Sequence, residues 1–296
     1  MSVGGTSISG TSVGGMSAFT AAVCQMRSGA DLSRNVEAMD ALVREAAGRG
    51  ATYIQTPEMT GLVQAARRDF FAQVRDERDD PVVRRAEALA RELGIHLHIG
   101  STPIRVEEAR AANRAFLFGP RGRVATYDKI HMFDVDLDGG ESWRESDVYR
   151  PGTRAVVADM DEARLGLGIC YDVRFPALFR AQAEAGATVL TAPSCFTRQT
   201  GRAHWHVLQR ARAIECGAFV VSAAQGGRHE DGRETYGHSL IVSPWGEVLA
   251  EVEGDEPGIA VADIDVSAAH AARAKVPNLV NVRAFDPPTA LLEAAE

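Results

Sequence analysis

Three side chains far apart in this sequence could together open an amide. Cys170 ends the run Leu165-Gly-Leu-Gly-Ile-Cys170, and Tyr171-Asp-Val-Arg174-Phe-Pro176 follows it. Glu58 stands in Thr56-Pro-Glu58-Met, and Lys129 in Tyr127-Asp-Lys129-Ile-His-Met-Phe-Asp134. A thiol attacks only as thiolate, so it needs a base, and a carboxylate such as Glu58 can take its proton. Attack on a carbonyl creates an oxyanion. The Lys129 ammonium and the Tyr171 backbone N–H could stabilise it, and losing one such donor typically costs about 3 kcal/mol of barrier. The protonated carboxyl would then donate to the departing amine, leaving a thioester, and a water activated by the same carboxylate would release the acid. Taken singly, each residue has a plainer reading. A free cysteine among apolar residues packs as a small hydrophobe, and a glutamate or lysine at a strand end is ordinarily solvated. The chemistry depends on their meeting.

The elements around them favour a meeting. Each group lies just past an expected strand: Glu58 after 51–56, Lys129 after 124–127, Cys170 after 165–169. Ligands of open sheets collect at the carboxyl ends of strands. The turn from Cys170 into a helix opened by Pro176 aims backbone N–H groups toward whatever the thiol attacks. Further strands are expected at 19–23, 95–100, 113–118, 155–158, 188–192, 218–223 and 259–264. Helical spacing appears at Val36, Met39, Val43 and Ala46, and again from Asp80-Pro81 to Gly94 with Val83, Ala86, Leu89, Ala90 and Leu93 on one face. A third helix should carry Leu178, Ala181 and Ala185 inward, and a fourth should run from His204 to Cys216 with Trp205, Leu208 and Ala211 on one side. Hairpins at 113–127 and 238–252 interrupt the strand–helix alternation. An α/β (α+β) architecture of two packed mixed sheets with helices outside them accommodates both features. The segment 134–149 is expected to be a long, functional loop.

The chain has 296 residues, 45% of them apolar, which suits one large core. Residues 1–18, rich in Gly, Ser and Thr, read as a flexible tail without the basic start and apolar stretch of a signal peptide. Residues 19–296 then form one domain, its aromatic and proline-bearing end from Pro277 lying over a neighbouring subunit. A formal charge of -8, from 32 basic and 40 acidic residues, argues against a nucleic-acid or anionic-membrane partner. Cys24, Cys170, Cys195 and Cys216 include no C-x-x-C pair, as expected of a cytoplasmic chain with reduced thiols.

The three motifs, in this order, resemble those of the carbon–nitrogen hydrolase (nitrilase) superfamily. Thr56-Pro-Glu58-Met is similar to its glutamate motif, 128–134 to its lysine motif, and 168–176 to its nucleophile motif. The resemblance implies an α-β-β-α sandwich, a Glu58–Lys129–Cys170 triad and no cofactor. It also implies a second glutamate at Glu145 that orients Lys129, and pairing of domains into a homodimer. Ala203-His-Trp205, the 210–215 segment, Tyr236-Gly-His238-Ser239 and Pro244-Trp-Gly246 resemble the Nit proteins, which include ω-amidases and deaminated-glutathione amidases. His206, where a glutamate is common, and Thr56, where leucine is usual, depart from that pattern. The implied reaction is hydrolysis of a small linear amide. An N-carbamoyl amino-acid hydrolase and a non-catalytic binding protein on the same fold are the alternatives. For an acidic substrate, Arg174 and, less directly, Arg198 could hold a carboxylate, since a guanidinium grips one bidentately. His96 and His98 alternate on a strand but lack further ligands for a metal. His204 and His206 point apart on their helix, and Cys195 and Cys216 are expected to pack.

Overall fold

The computed structural model describes residues 18–137 and 142–286. The expected tail therefore lies outside the described residues, apart from Ala18, which already begins the first strand. The first sheet is built from β1 (Ala18–Gln25), β2 (Tyr53–Gln55), β3 (His96–Glu107), β4 (Arg110–Gly119) and β5 (Gly122–Asp128). A ribbon of β6 (Asp134–Asp136) and β7 (Ser142–Arg144) follows. The second sheet takes β8 (Val156–Asp159), β9 (Arg164–Leu167), β10 (Val189–Thr191) and β11 (Phe219–Ser222). A second ribbon, β12 (Gly226–Arg228) and β13 (Glu234–Tyr236), precedes the hairpin of β14 (Leu240–Val242) and β15 (Val248–Glu251). The final strand, β16 (Gly258–Asp265), returns to the first sheet. The sheet orders are β16-β1-β2-β3-β4-β5 and β15-β14-β11-β10-β9-β8. Each has a parallel centre, β1-β2-β3 and β9-β10-β11, with antiparallel strands at its flanks.

Side-chain alternation then fixes the layers, because successive residues of a strand point to opposite faces. On β1, Phe19, Ala21 and Val23 join Leu165, Leu167, Val189 and Ile241 in the core between the sheets. Ala22 and Cys24 face the other way, onto α1 (Leu32–Gly48) and α3 (Pro81–Leu93). On β4, Ala115 and Leu117 face inward while Phe116 and Phe118 meet the helices. The helices α4 (Pro176–Glu184) and α5 (Arg198–Cys216) contribute Phe179, Ala183, Trp205 and Ala213 to the core of the second sheet. The result is the α-β-β-α sandwich. A short α2 (Arg67–Gln73) and a closing α6 (Ser267–Lys275) complete the helices named here.

Several local readings are corrected. In α4, Ala181 and Ala185 are exposed, and Leu178, Phe179, Gln182 and Ala183 turn inward. Helix α5 begins six residues before His204, capped by the Thr197 hydroxyl, which accepts from the Thr200 N–H. Strand β3 runs past Gly100 to Glu107. The segment 134–149 holds the β6–β7 ribbon and a 3-10 turn, Glu145–Asp147.

Polar groups also cross the sandwich. Gln55 accepts from the Ala223 N–H of the second sheet (2.7 Å) and donates to Tyr53 Oη (3.2 Å), which meets His98 Nδ1 at 2.8 Å. Burial pulls the His98 imidazole from its ordinary 6.5 down to about 3. The fold therefore keeps His98 neutral, while the unfolded chain protonates it below its ordinary value. That stability is whole above pH 6.5 and is lost as pH falls toward 3; at pH 5 the loss is about 2 kcal/mol. His98→Gln should flatten the pH dependence of the urea midpoint between pH 7 and 5 by this amount. An unchanged slope would show that His98 is protonated in the folded protein.

Candidate active site

Glu58, Lys129 and Cys170 emerge from the carboxyl ends of β2, β5 and β9, and the fold brings them to one point. Glu58 lies in a turn after β2, in which Thr60 donates its N–H to the Ser101 carbonyl of β3. Lys129 is fixed on both backbone sides: its N–H donates to the Asn113 carbonyl (3.0 Å), and its carbonyl accepts from Gly152 (2.7 Å). Cys170 opens a 3-10 turn, Cys170–Arg174, with φ 47°, a left-handed conformation that costs a non-glycine residue stability. Two attachments hold it there. The Cys170 N–H donates to the Pro193 carbonyl (2.9 Å), and the carboxylate of Asp172 ties the turn to the lysine segment. Asp172 is fully buried and accepts from the Tyr127 hydroxyl (2.7 Å), the Ile169 N–H (2.9 Å) and the His131 N–H (3.1 Å).

Lys129 sits between two carboxylates, with Nζ 2.9 Å from Glu58 Oε1 and 2.7 Å from Glu145 Oε2. Asn113 Nδ2 donates to both acids, at 2.9 Å to Glu58 and 3.0 Å to Glu145. The second oxygen of Glu58 accepts from the Cys195 N–H (2.7 Å), and Cys170 lines the same cleft as Glu58. Burial pushes the Glu58 carboxyl up, but the Lys129 charge and the donors around it leave it below its ordinary 4.5. Burial pulls Lys129 down, and the charges of Glu145 and Glu58 outweigh it and hold it well above 10.5. Burial and the Glu58 charge raise the Cys170 thiol well above 9, against the pull of Lys129. At rest the site thus holds a thiol, an ionised carboxylate and an ammonium. Such a set is suited to acyl transfer, in which a carboxylate takes the proton of an attacking thiol.

The thiol opens onto a cleft of about 450 Å³ lined by Glu58, Lys129, Glu145 and Cys170, with Met59, Leu62, Phe70 and Trp143 among its apolar walls. Residues 20–274 match the carbon–nitrogen hydrolase family. The chain belongs to that family. It is 37% identical over 234 residues to a deaminated glutathione amidase of Yersinia enterocolitica, covering 78% of this chain and 81% of that one. It is 34% identical over 263 residues to omega-amidase NIT2 of Homo sapiens, covering 88% and 94%. The solved NitFhit protein of C. elegans superposes with a TM-score of 0.83 at 33% identity over 90% of this chain, which spans 65% of that protein's length. This carbon–nitrogen hydrolase is an amidase.

In this hydrolase the two arginines expected to hold an acidic substrate lie outside the cleft. Arg174 reaches His204 Nδ1 (3.2 Å) and lies over the rings of Phe196 and Tyr171. Arg198 is paired with Asp255 (2.5 Å) and Glu234 (3.3 Å) and borders a neighbouring depression. His206 does not pair with His204. It converges with His238 on Glu251 Oε1, at 3.1 Å and 2.5 Å, fastening α5 to β15 away from the cleft. This trio has the donor atoms of a metal site, and here both rings share the one carboxylate oxygen.

Asn113 and Asp172 are the site residues that spacing did not single out. Asn113 sits 55 residues from Glu58 in the chain, and only the β3–β4 pairing brings the two together. Because it holds both glutamates, Asn113→Leu should lower kcat roughly tenfold, leaving KM nearly unchanged. Steady-state kinetics check this, and a change confined to KM would assign Asn113 to substrate binding instead.

Proposed function

We propose that this enzyme is a cytoplasmic homodimer that cleaves a small linear amide through a thioester on Cys170, without a cofactor. Glu58 acts as base and then acid, Lys129 and the Tyr171 N–H stabilise the oxyanion, and Glu145 orients Lys129. The Tyr171 N–H lies in the first turn after Cys170, where a helix leaves its donors without intrahelical acceptors. The observation that carries the proposal is the buried Glu58–Lys129–Glu145 chain beside a thiol at the wall of a substrate-sized cleft. Resemblance to a deaminated glutathione amidase and an omega-amidase points to a 2-oxo-acid ω-amide or a deaminated-glutathione-like amide. The exposed Val280, Val282 and Phe285 would be covered by the second subunit. A screen for amine or ammonia release over 2-oxo amides, amino-acid amides and carbamoyl compounds tests the reaction, with intact-mass detection of an acyl adduct on Cys170. Ammonia accompanied by carbon dioxide would mark an N-carbamoyl hydrolase, and turnover with no Cys170 adduct would remove the thioester.

A further inference from the structure

Arg233 lines the same cleft as Cys170, on the turn between β12 and β13. The turn is a built support. His229 is buried, with Nδ1 2.7 Å from the Ser28 carbonyl and Nε2 2.8 Å from the Thr235 hydroxyl, and its N–H donates to the Arg233 carbonyl (2.8 Å). The Arg233 N–H donates to Asp231 Oδ1 (3.0 Å), and the guanidinium lies 4.3 Å from the Trp143 ring centroid.

The guanidinium itself is poorly satisfied. Its side chain is 17% exposed, and Nε is fully shielded with no hydrogen-bond partner among the described residues. Among the described residues Nη1 reaches only the Cys195 sulfur, at 3.7 Å, and Nη2 stands 3.8 Å from Asp231 Oδ2, an oxygen that likewise has no hydrogen-bond partner there. The other arginines of the cleft are better engaged. Arg67 donates to the Asp147 and Ala109 carbonyls, and Arg144 grips Asp136 through both oxygens. A largely buried guanidinium without a close acceptor is costly, and the ligand that suits its planar fork is a carboxylate.

We infer that Arg233 binds a carboxylate of the substrate at the end remote from the scissile bond, with the apolar cleft wall accommodating the methylenes between. This rests on the amidase reading above and adds the residue that selects for an acid terminus.

Binding is measured separately from hydrolysis. Cys170→Ala protein is titrated calorimetrically with glutaric acid monoamide and with pentanamide, which replaces the carboxylate by a methyl group. The acid amide should bind more tightly than pentanamide, and Arg233→Gln should weaken it roughly thirtyfold while pentanamide shifts far less. Arg233→Lys should fall between. Should Arg233→Gln alone unfold because Asp231 is left buried without its cation, Arg233→Gln/Asp231→Asn carries the same comparison. Equal loss for both ligands, or an acid amide that binds no better than pentanamide, overturns the assignment. If parental enzyme releases no ammonia from any amide while the carboxylate preference persists, the hydrolytic reading fails and the Arg233 subsite stands.

Discussion

Cys170→Ala should abolish amide hydrolysis, with a loss of at least about 10⁴-fold, while the protein unfolds within a few degrees of its parent. The two halves of this expectation have separate causes. Glu58, Lys129 and the backbone donors remain in place without the sulfur, yet none of them can form the acyl intermediate. The fold is spared because the substitution removes one atom. Alanine has the same left-handed cost at φ 47° as cysteine, and the Asp172 contacts that hold the turn are main-chain or lie on other residues. Cys195 supplies the control. Its thiol also borders the cleft, but its contribution to the site is the main-chain N–H that holds Glu58. Cys195→Ala keeps that N–H, so its loss should stay within about tenfold. Residual turnover of Cys170→Ala near the parental rate would mean that another group attacks. Turnover lost with the fold would leave the thiol's role open to a purely structural reading, and the melting curve separates the two.

The meeting of Glu58, Lys129 and Cys170 was legible because each lies within three residues of a strand's carboxyl end, and these ends gather at one edge of the sandwich. The sandwich was legible for a related reason, since β1 and β4 alternate between two apolar faces and so require something packed on each side. What was not legible depends on register. Asn113 acts only because the pairing of β4 with β3 and β5 sets it opposite Glu58, and Asp172 acts on Tyr127 from 45 residues away. Arg233 shows the same limit. Arg174 and Arg198 were expected to hold a carboxylate, but Arg198 is neutralised by Asp255, 57 residues on, while the β12–β13 ribbon carries a more distant arginine into the cleft. The start of α5 was missed because residues 198–203 carry no apolar period; the helix begins there through the Thr197 cap.

Lys129→Met should be the most destabilising single change at the site, by about 3–5 kcal/mol at pH 8, and should remove activity with it. Lys129 and Glu58 are each about 2% exposed, and Glu145 is nearly as enclosed. Taking the ammonium away leaves two largely buried carboxylates facing each other across one asparagine amide. The pH dependence identifies the cause. In the parent, Glu58 titrates below its ordinary 4.5, so its contribution is present above that value and is lost as pH falls through the depressed one. In Lys129→Met, burial is no longer opposed and the carboxyl pKa moves above the ordinary value. The penalty is then greatest at high pH and relieved as the acids take up protons. The stability gap between parent and variant should therefore narrow steadily from pH 8 to pH 5, as read from urea midpoints. Lys129→Met/Glu58→Gln, which removes one of the stranded charges, should recover part of the loss at pH 8. A gap independent of pH would locate the damage in lost packing of the lysine stem. Then the ammonium would not be what lets two acids remain ionised beside the thiol, and Glu58 would need another source for the charge that makes it a base.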